Sequence, residues 1–137
     1  MTLSRPRWSK LFAASLCMAV AGLAGAQSAA AKTYGCPTPK EPAGLKGGYF
    51  TELRVSGYKS KRSACRSGRK LVLAYYKCRR KRGGIKGSCN NRTVNGLKCR
   101  ESRPRNLQSD TQLNARVTCR KGSKKIRHSY QQNLRSS

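Results

Sequence analysis

Apolar residues recur at helical spacing over residues 62–82, the most regular stretch of the chain. Cys65, Leu71, Val72, Tyr75, Tyr76 and Cys78 share one broad stripe at about 100° per residue. Ser63 is placed to cap the start, and Gly83 with Gly84 follow the end. This predicts one helix with both of its cysteines facing a core. Elsewhere the period is two. Leu113, Ala115, Val117 and Cys119 alternate with Asn114, Arg116, Thr118 and Arg120. A turn through Lys121, Gly122, Ser123 and Lys124 leads into Ile126, His128 and Tyr130, which alternate with Lys125, Arg127 and Ser129. The pattern is that of a β-hairpin. Leu97 and Cys99 alternate with Lys98 and Arg100 in a shorter strand after a Gly- and Asn-rich loop over residues 83–93. Nearer the front, Tyr49, Thr51, Leu53 and Val55 take one face of a further strand, with Phe50, Glu52 and Arg54 on the other. The order strand, helix, strand, strand, strand predicts an α+β fold, one helix packed on a small antiparallel sheet. Residues 27–48, with Pro37, Pro39 and Pro42, read as an irregular Pro/Gly-rich arm, and residues 49–137 as a single small domain without internal repeats.

The first 26 residues have another character. Arg5, Arg7 and Lys10 precede an uncharged, Ala- and Leu-rich run ending in Ala24, Gly25 and Ala26, the signature of a secretory signal peptide. A spanning helix needs about 20 predominantly apolar residues, and this run is shorter. Pro6 separates Arg5 from Arg7, so there is no twin-arginine signal. A second small-residue site, at Ala29 and Ala31, leaves the mature start between Gln27 and Lys32. The expected destination is the extracellular space.

Export changes how the cysteines read. Cys17 leaves with the signal segment, and Cys36, Cys65, Cys78, Cys89, Cys99 and Cys119 remain. An even number in a small chain bound for an oxidising compartment implies three disulfides. Six cysteines allow 15 connectivities. The short spacing favours Cys78 with Cys89, which leaves Cys65 with Cys99 and Cys36 with Cys119 as the expected remainder. No two of them are close enough for the paired ligands of a zinc site, His128 is the sole histidine, and no cofactor motif is present.

Four segments together resemble a known group. They are Leu53-Arg54-Val55-Ser56-Gly57, a helix opened by Cys65 with Arg69 and Lys70, Gly96-Leu97-Lys98-Cys99, and Ala115 to Gly122 with Cys119 inside it. In this order they are similar to small secreted domains of actinobacterial exported proteins, over residues 51–131. The resemblance implies an α+β fold, a bacterial extracellular setting and structural roles for Cys65, Cys99 and Cys119. It assigns no activity and no catalytic residues, and the pair Cys78 and Cys89 is an addition to the simplest form of the group.

Charge is the strongest chemical signal. The chain has 31 Lys and Arg against four acids; removal of residues 1–26 takes three cations and no acid, leaving a formal +24. Lys77, Arg79, Arg80, Lys81 and Arg82 form one cluster, and Lys121, Lys124, Lys125 and Arg127 another. Cations in the last helical turn complement the dipole, but Arg62, Arg66 and Arg69 stand in the first two turns, where they oppose it. These twelve residues are the candidates for binding an acidic polymer, whether wall polymer, nucleic acid or an anionic membrane surface. The enzymatic alternative is a microbial-type ribonuclease with Glu101 as base, His128 as acid and Arg100 or Arg120 as clamp. Nothing in the spacing of Glu41, Glu52, Glu101 and Asp110 suggests a glycosidase pair, and no Gly-x-Ser-x-Gly elbow exists. A structural or inhibitor module presenting the segment from Cys89 to Cys99 is the third reading, and the sequon at Asn91, Arg92 and Thr93 lies in a loop.

Overall fold

The computed structural model describes residues 31–40 and 48–135; the expected export signal lies outside them. Six strands and one α-helix, with short 3-10 helices at Gly84–Lys86 and Arg105–Leu107 between them, follow in the order β1 (Thr33–Gly35), β2 (Gly48–Ser56), α1 (Lys61–Lys81), β3 (Thr93–Val94), β4 (Leu97–Ser102), β5 (Gln112–Lys121) and β6 (Lys124–Asn133). The strands make one antiparallel sheet in the order β1-β2-β6-β5-β4-β3. The helix covers one face of it, so the fold is α+β as the periodicities require.

The long β5–β6 hairpin is the spine. Gly122 takes φ 54 at the first central position of its turn, where a type II′ turn calls for glycine. A second hairpin joins β3 to β4 through Asn95 and Gly96, both at positive φ, the Asn-Gly signature of a type I′ turn. The helix starts slightly earlier than the sequence suggests. Ser60 rather than Ser63 is the N-cap, its Oγ accepting from the Ser63 amide at 3.3 Å. Ser63 returns a hydroxyl hydrogen bond to the Ser60 carbonyl at 3.0 Å.

Two expectations near the front of the chain are corrected. The arm contributes an edge strand, β1, paired with β2, and the Cys36 amide extends that pairing with a bond to the Leu53 carbonyl at 2.9 Å. In β2 the register shifts between Phe50 and Glu52, so Thr51 is the extra residue of a bulge. Phe50 thereby joins the helix side, edge-on to Tyr76 at 6.4 Å, while Thr51 is exposed.

Beneath the helix, Leu53, Val55, Leu71, Val72, Tyr75, Val117, Ile126 and Tyr130 are buried. The helix lies close on β2 at Gly68, where an added Cβ would stand 2.8 Å from Val55 Cγ2. A core this small needs covalent help. The disulfides are Cys36–Cys65, Cys78–Cys89 and Cys99–Cys119. The local bridge is the expected one, and the other two are exchanged relative to expectation. Register decides both. Cys99 and Cys119 are direct cross-strand partners with Cα atoms 4.0 Å apart. The Cys99 amide bonds away from β5, to the Arg92 carbonyl, so the two cysteines form a non-hydrogen-bonded pair, where side chains come closest. The β1–β2 pairing carries Cys36 to the first turns of α1, beside Cys65. Closing loops with sequence separations of 29, 11 and 20 corresponds to about 3–4 kcal/mol each in the chain-entropy account.

Candidate functional site

Over the sheet face away from α1 the described residues place only the short turn at Arg105–Leu107, which lies at the end of the face carrying Asn114, whose Nδ2 donates to the Leu107 carbonyl. Alternation in β2, β4, β5 and β6 sends every second side chain there, and the register assembles them into rows. One row runs Arg54, Arg127, Thr118, Arg100 across β2, β6, β5 and β4; the next runs Ser56, Lys125, Arg120, Lys98. A third runs Glu52, Ser129, Arg116, Ser102. Seven cations thus occupy neighbouring positions, with Glu52 at one corner, 2.5 Å from Arg54. Neighbouring strands are about 4.8 Å apart and alternate residues about 6.8 Å, so the patch measures about 14 Å each way. Lys98, Arg100, Glu101, Ser102, Arg116, Thr118 and Arg120 line an open trough of about 700 Å³ over it.

Folding does not call for this pattern. Arg54 stands opposite Arg127, and Arg120 opposite both Lys98 and Lys125, and like charges directly opposed are destabilising. Lost hydration, together with the Arg120 and Arg127 charges, lowers the proton affinity of Lys125.

The sequence-predicted cations are dispersed rather than gathered. Lys125 and Arg127 are on the open face. Lys121 and Lys124, one strand position out of phase, line a hollow on the helix side with Lys70, Asn95 and Tyr58. Arg62, Arg66, Arg69, Lys77, Arg80, Lys81 and Arg82 are exposed along and after α1. Arg79 is not available to a ligand at all. It is 1 % exposed, donates to the Ile85 carbonyl at 2.9 Å and to Gln132 Oε1 at 2.5 Å, and lies 4.9 Å and 4.3 Å from the ring centres of Tyr76 and Tyr130. Burial lowers its pKa, and its bonds tie the glycine-rich loop to the core.

Sequence reading missed Arg54, Lys98 and Arg116 as members of a surface and knew Arg100 and Arg120 only as clamps. The alternation was visible in each strand; the rows needed the register.

Glu101 and His128 do share a face, as the alternation predicted. They lie in one cross-strand row with Val117 between them, so about 10 Å apart. That face is the one under the helix. The Glu101 side chain is 2 % exposed; it accepts from the Tyr75 hydroxyl at 2.5 Å and from Arg103 Nε at 2.6 Å. The ring of His128 is edge-on to Tyr75 at 5.3 Å, and burial, then the Arg79 charge, push its pKa down to about 3. At neutral pH the ring is uncharged, and it is 2 % exposed. Arg100 and Arg120 project to the opposite side of the sheet.

Among the described residues there is no group of three or more His, Cys, Asp or Glu placed to hold a metal ion. Nor is any described helix long and apolar enough to cross a membrane. No family model, curated protein or solved structure matches this chain, so its own geometry carries the functional reading.

Proposed function

We propose that this chain is an exported, disulfide-held cationic module that binds acidic polymers without catalysing a reaction on them, and that the open face of the sheet is its principal binding surface. The observation that carries the reading is the block of seven cations at adjacent register positions, uncovered and maintained against cross-strand repulsion. Three disulfides support the export reading, because such bonds persist in oxidising compartments. The hydroxyls of Ser129, Thr118 and Ser102 in the same rows add hydrogen-bond donors for phosphate or sulfate oxygens. Recognition is through charge density rather than sequence.

The test is a salt titration of binding to a short labelled duplex DNA. If all seven cations engage phosphates, log affinity falls with log salt at a slope of about −6. Changing Arg54, Arg100, Arg116 and Arg127 to glutamine makes the slope shallower and weakens binding. Affinity that does not change between low and physiological salt sinks the proposal.

A further inference from the structure

A second basic surface lies along the outward side of α1. Arg62, Arg66, Arg69, Lys77 and Arg80 are all exposed, fall within about 80° of one another at helical spacing, and extend over about 27 Å of helix. Lys70 and Lys81 flank them. The helix contains no acidic residue. Like charges four residues apart, as in Arg62 with Arg66, Arg66 with Lys70 and Lys77 with Lys81, weaken a helix, and cations in the first turns oppose its dipole. Acidic residues in place of Arg62 and Arg66 would suit the first turns better, so helix stability does not account for that end of the stripe.

Its direction matters more than its charge. The inward side of the same helix, through Cys65, Val72, Tyr75 and Arg79, is buried on the sheet. The stripe therefore points away from the sheet, and the two basic surfaces stand on opposite sides of a two-layer domain, about 20 Å apart. A polymer resting on one cannot touch the other without bending around the protein. Duplex DNA, with a persistence length of about 150 bp, does not make that bend without help.

Resting on the binding reading above, we propose that one molecule holds two duplexes at once, one on the open sheet face and one on the outer stripe of α1, and so cross-links them. Both surfaces favour arginine over lysine, and its planar fork matches the paired oxygens of a phosphodiester. Neither surface carries an aromatic ring among the described side chains, whereas single strands are gripped by stacking on such rings. A duplex, which presents phosphates and encloses its bases, is the occupant this chemistry fits.

Three variants of equal net charge test the proposal. One carries glutamine at Arg54, Arg100, Arg116 and Arg127, and a second at Arg62, Arg66, Arg69 and Arg80. The third takes two from each surface, at Arg54, Arg127, Arg66 and Arg80. Circular dichroism verifies that each is folded. Binding to a short duplex is measured separately from light scattering of a long linear duplex, at protein amounts well below charge neutralisation. Wild type and the mixed variant are expected to raise the scattering, while each one-sided variant binds the short duplex and loses the rise. Equal scattering from all three variants means that net charge alone condenses the DNA, which overturns cross-linking and leaves binding standing. Failure of the wild type to bind the short duplex removes the binding reading itself.

Discussion

Replacing Arg79 with leucine is expected to destabilise the fold by about 3–5 kcal/mol, although the position lies in a run of basic residues whose other members, Lys77, Arg80, Lys81 and Arg82, are exposed. The guanidinium is enclosed. Its loss removes the donors to Gln132 Oε1 and the Ile85 carbonyl, the planar cation between the Tyr76 and Tyr130 rings, and one of the two arginines that hold the loop after α1. The other, Arg103, donates to the Gly87 carbonyl at 2.8 Å and to Glu101. Arg79→Lys should recover little, because one ammonium cannot reproduce the fork and the stacking together. The neighbour Arg80 is exposed, and Arg80→Gln should change stability by no more than about 0.5 kcal/mol. Urea unfolding followed by circular dichroism measures all three. Equal midpoints for Arg79→Leu and Arg80→Gln would show that the buried arginine contributes nothing of its own.

Stability should also fall in mild acid, through His128. Its pKa is about 3 in the fold and about 6.5 in the unfolded chain, so between those values the unfolded state binds the extra proton. The stabilising contribution is complete above pH 6.5 and is lost as pH falls towards 3, at up to about 1.4 kcal/mol per pH unit. From pH 7 to pH 5 the loss is about 2 kcal/mol. Neither ring nitrogen has a hydrogen-bond partner among the described residues, so a leucine of similar bulk gives up no bond to them at neutral pH. His128→Leu should keep stability at pH 7 and flatten the dependence between pH 5 and pH 7. An unchanged slope in that variant would place the acid sensitivity elsewhere.

Period and turn chemistry made most of the architecture legible in the sequence, but pairing was not. The helix showed through its stripe and the glycines after it, the β5–β6 hairpin through clean alternation. Asn95-Gly96 between Val94 and Leu97 was an available turn signal for the short β3–β4 hairpin that composition alone blurred into loop. The disulfides Cys36–Cys65 and Cys99–Cys119 depend on which residue stands opposite which, and alternation says nothing about that. For the same reason the cations of the open face appeared as separate fragments, Lys98 with Arg100, Arg116 with Arg120 and Lys125 with Arg127. Arg79 is a different case. On the helix it follows Val72 by seven residues, Tyr75 by four and Tyr76 by three, so its inward position was readable, but its basic neighbours argued for a surface.

The margins of the sheet bear on how an antiparallel structure avoids self-association. An edge strand with free amides and carbonyls is a template for another chain, and short or charged edges blunt that hazard. Here one margin ends in the three-residue β1, paired with Arg54, Val55 and Ser56 of β2, and the other in the two-residue β3, paired with Leu97 and Lys98 of β4, so neither outermost strand offers an incoming chain a long partner. Face-to-face stacking is opposed as well, since two copies would bring seven like charges against seven. Concentrated protein at low ionic strength should therefore stay dispersed, and added salt, which shields the faces but leaves the margins as short as before, should not by itself seed fibres.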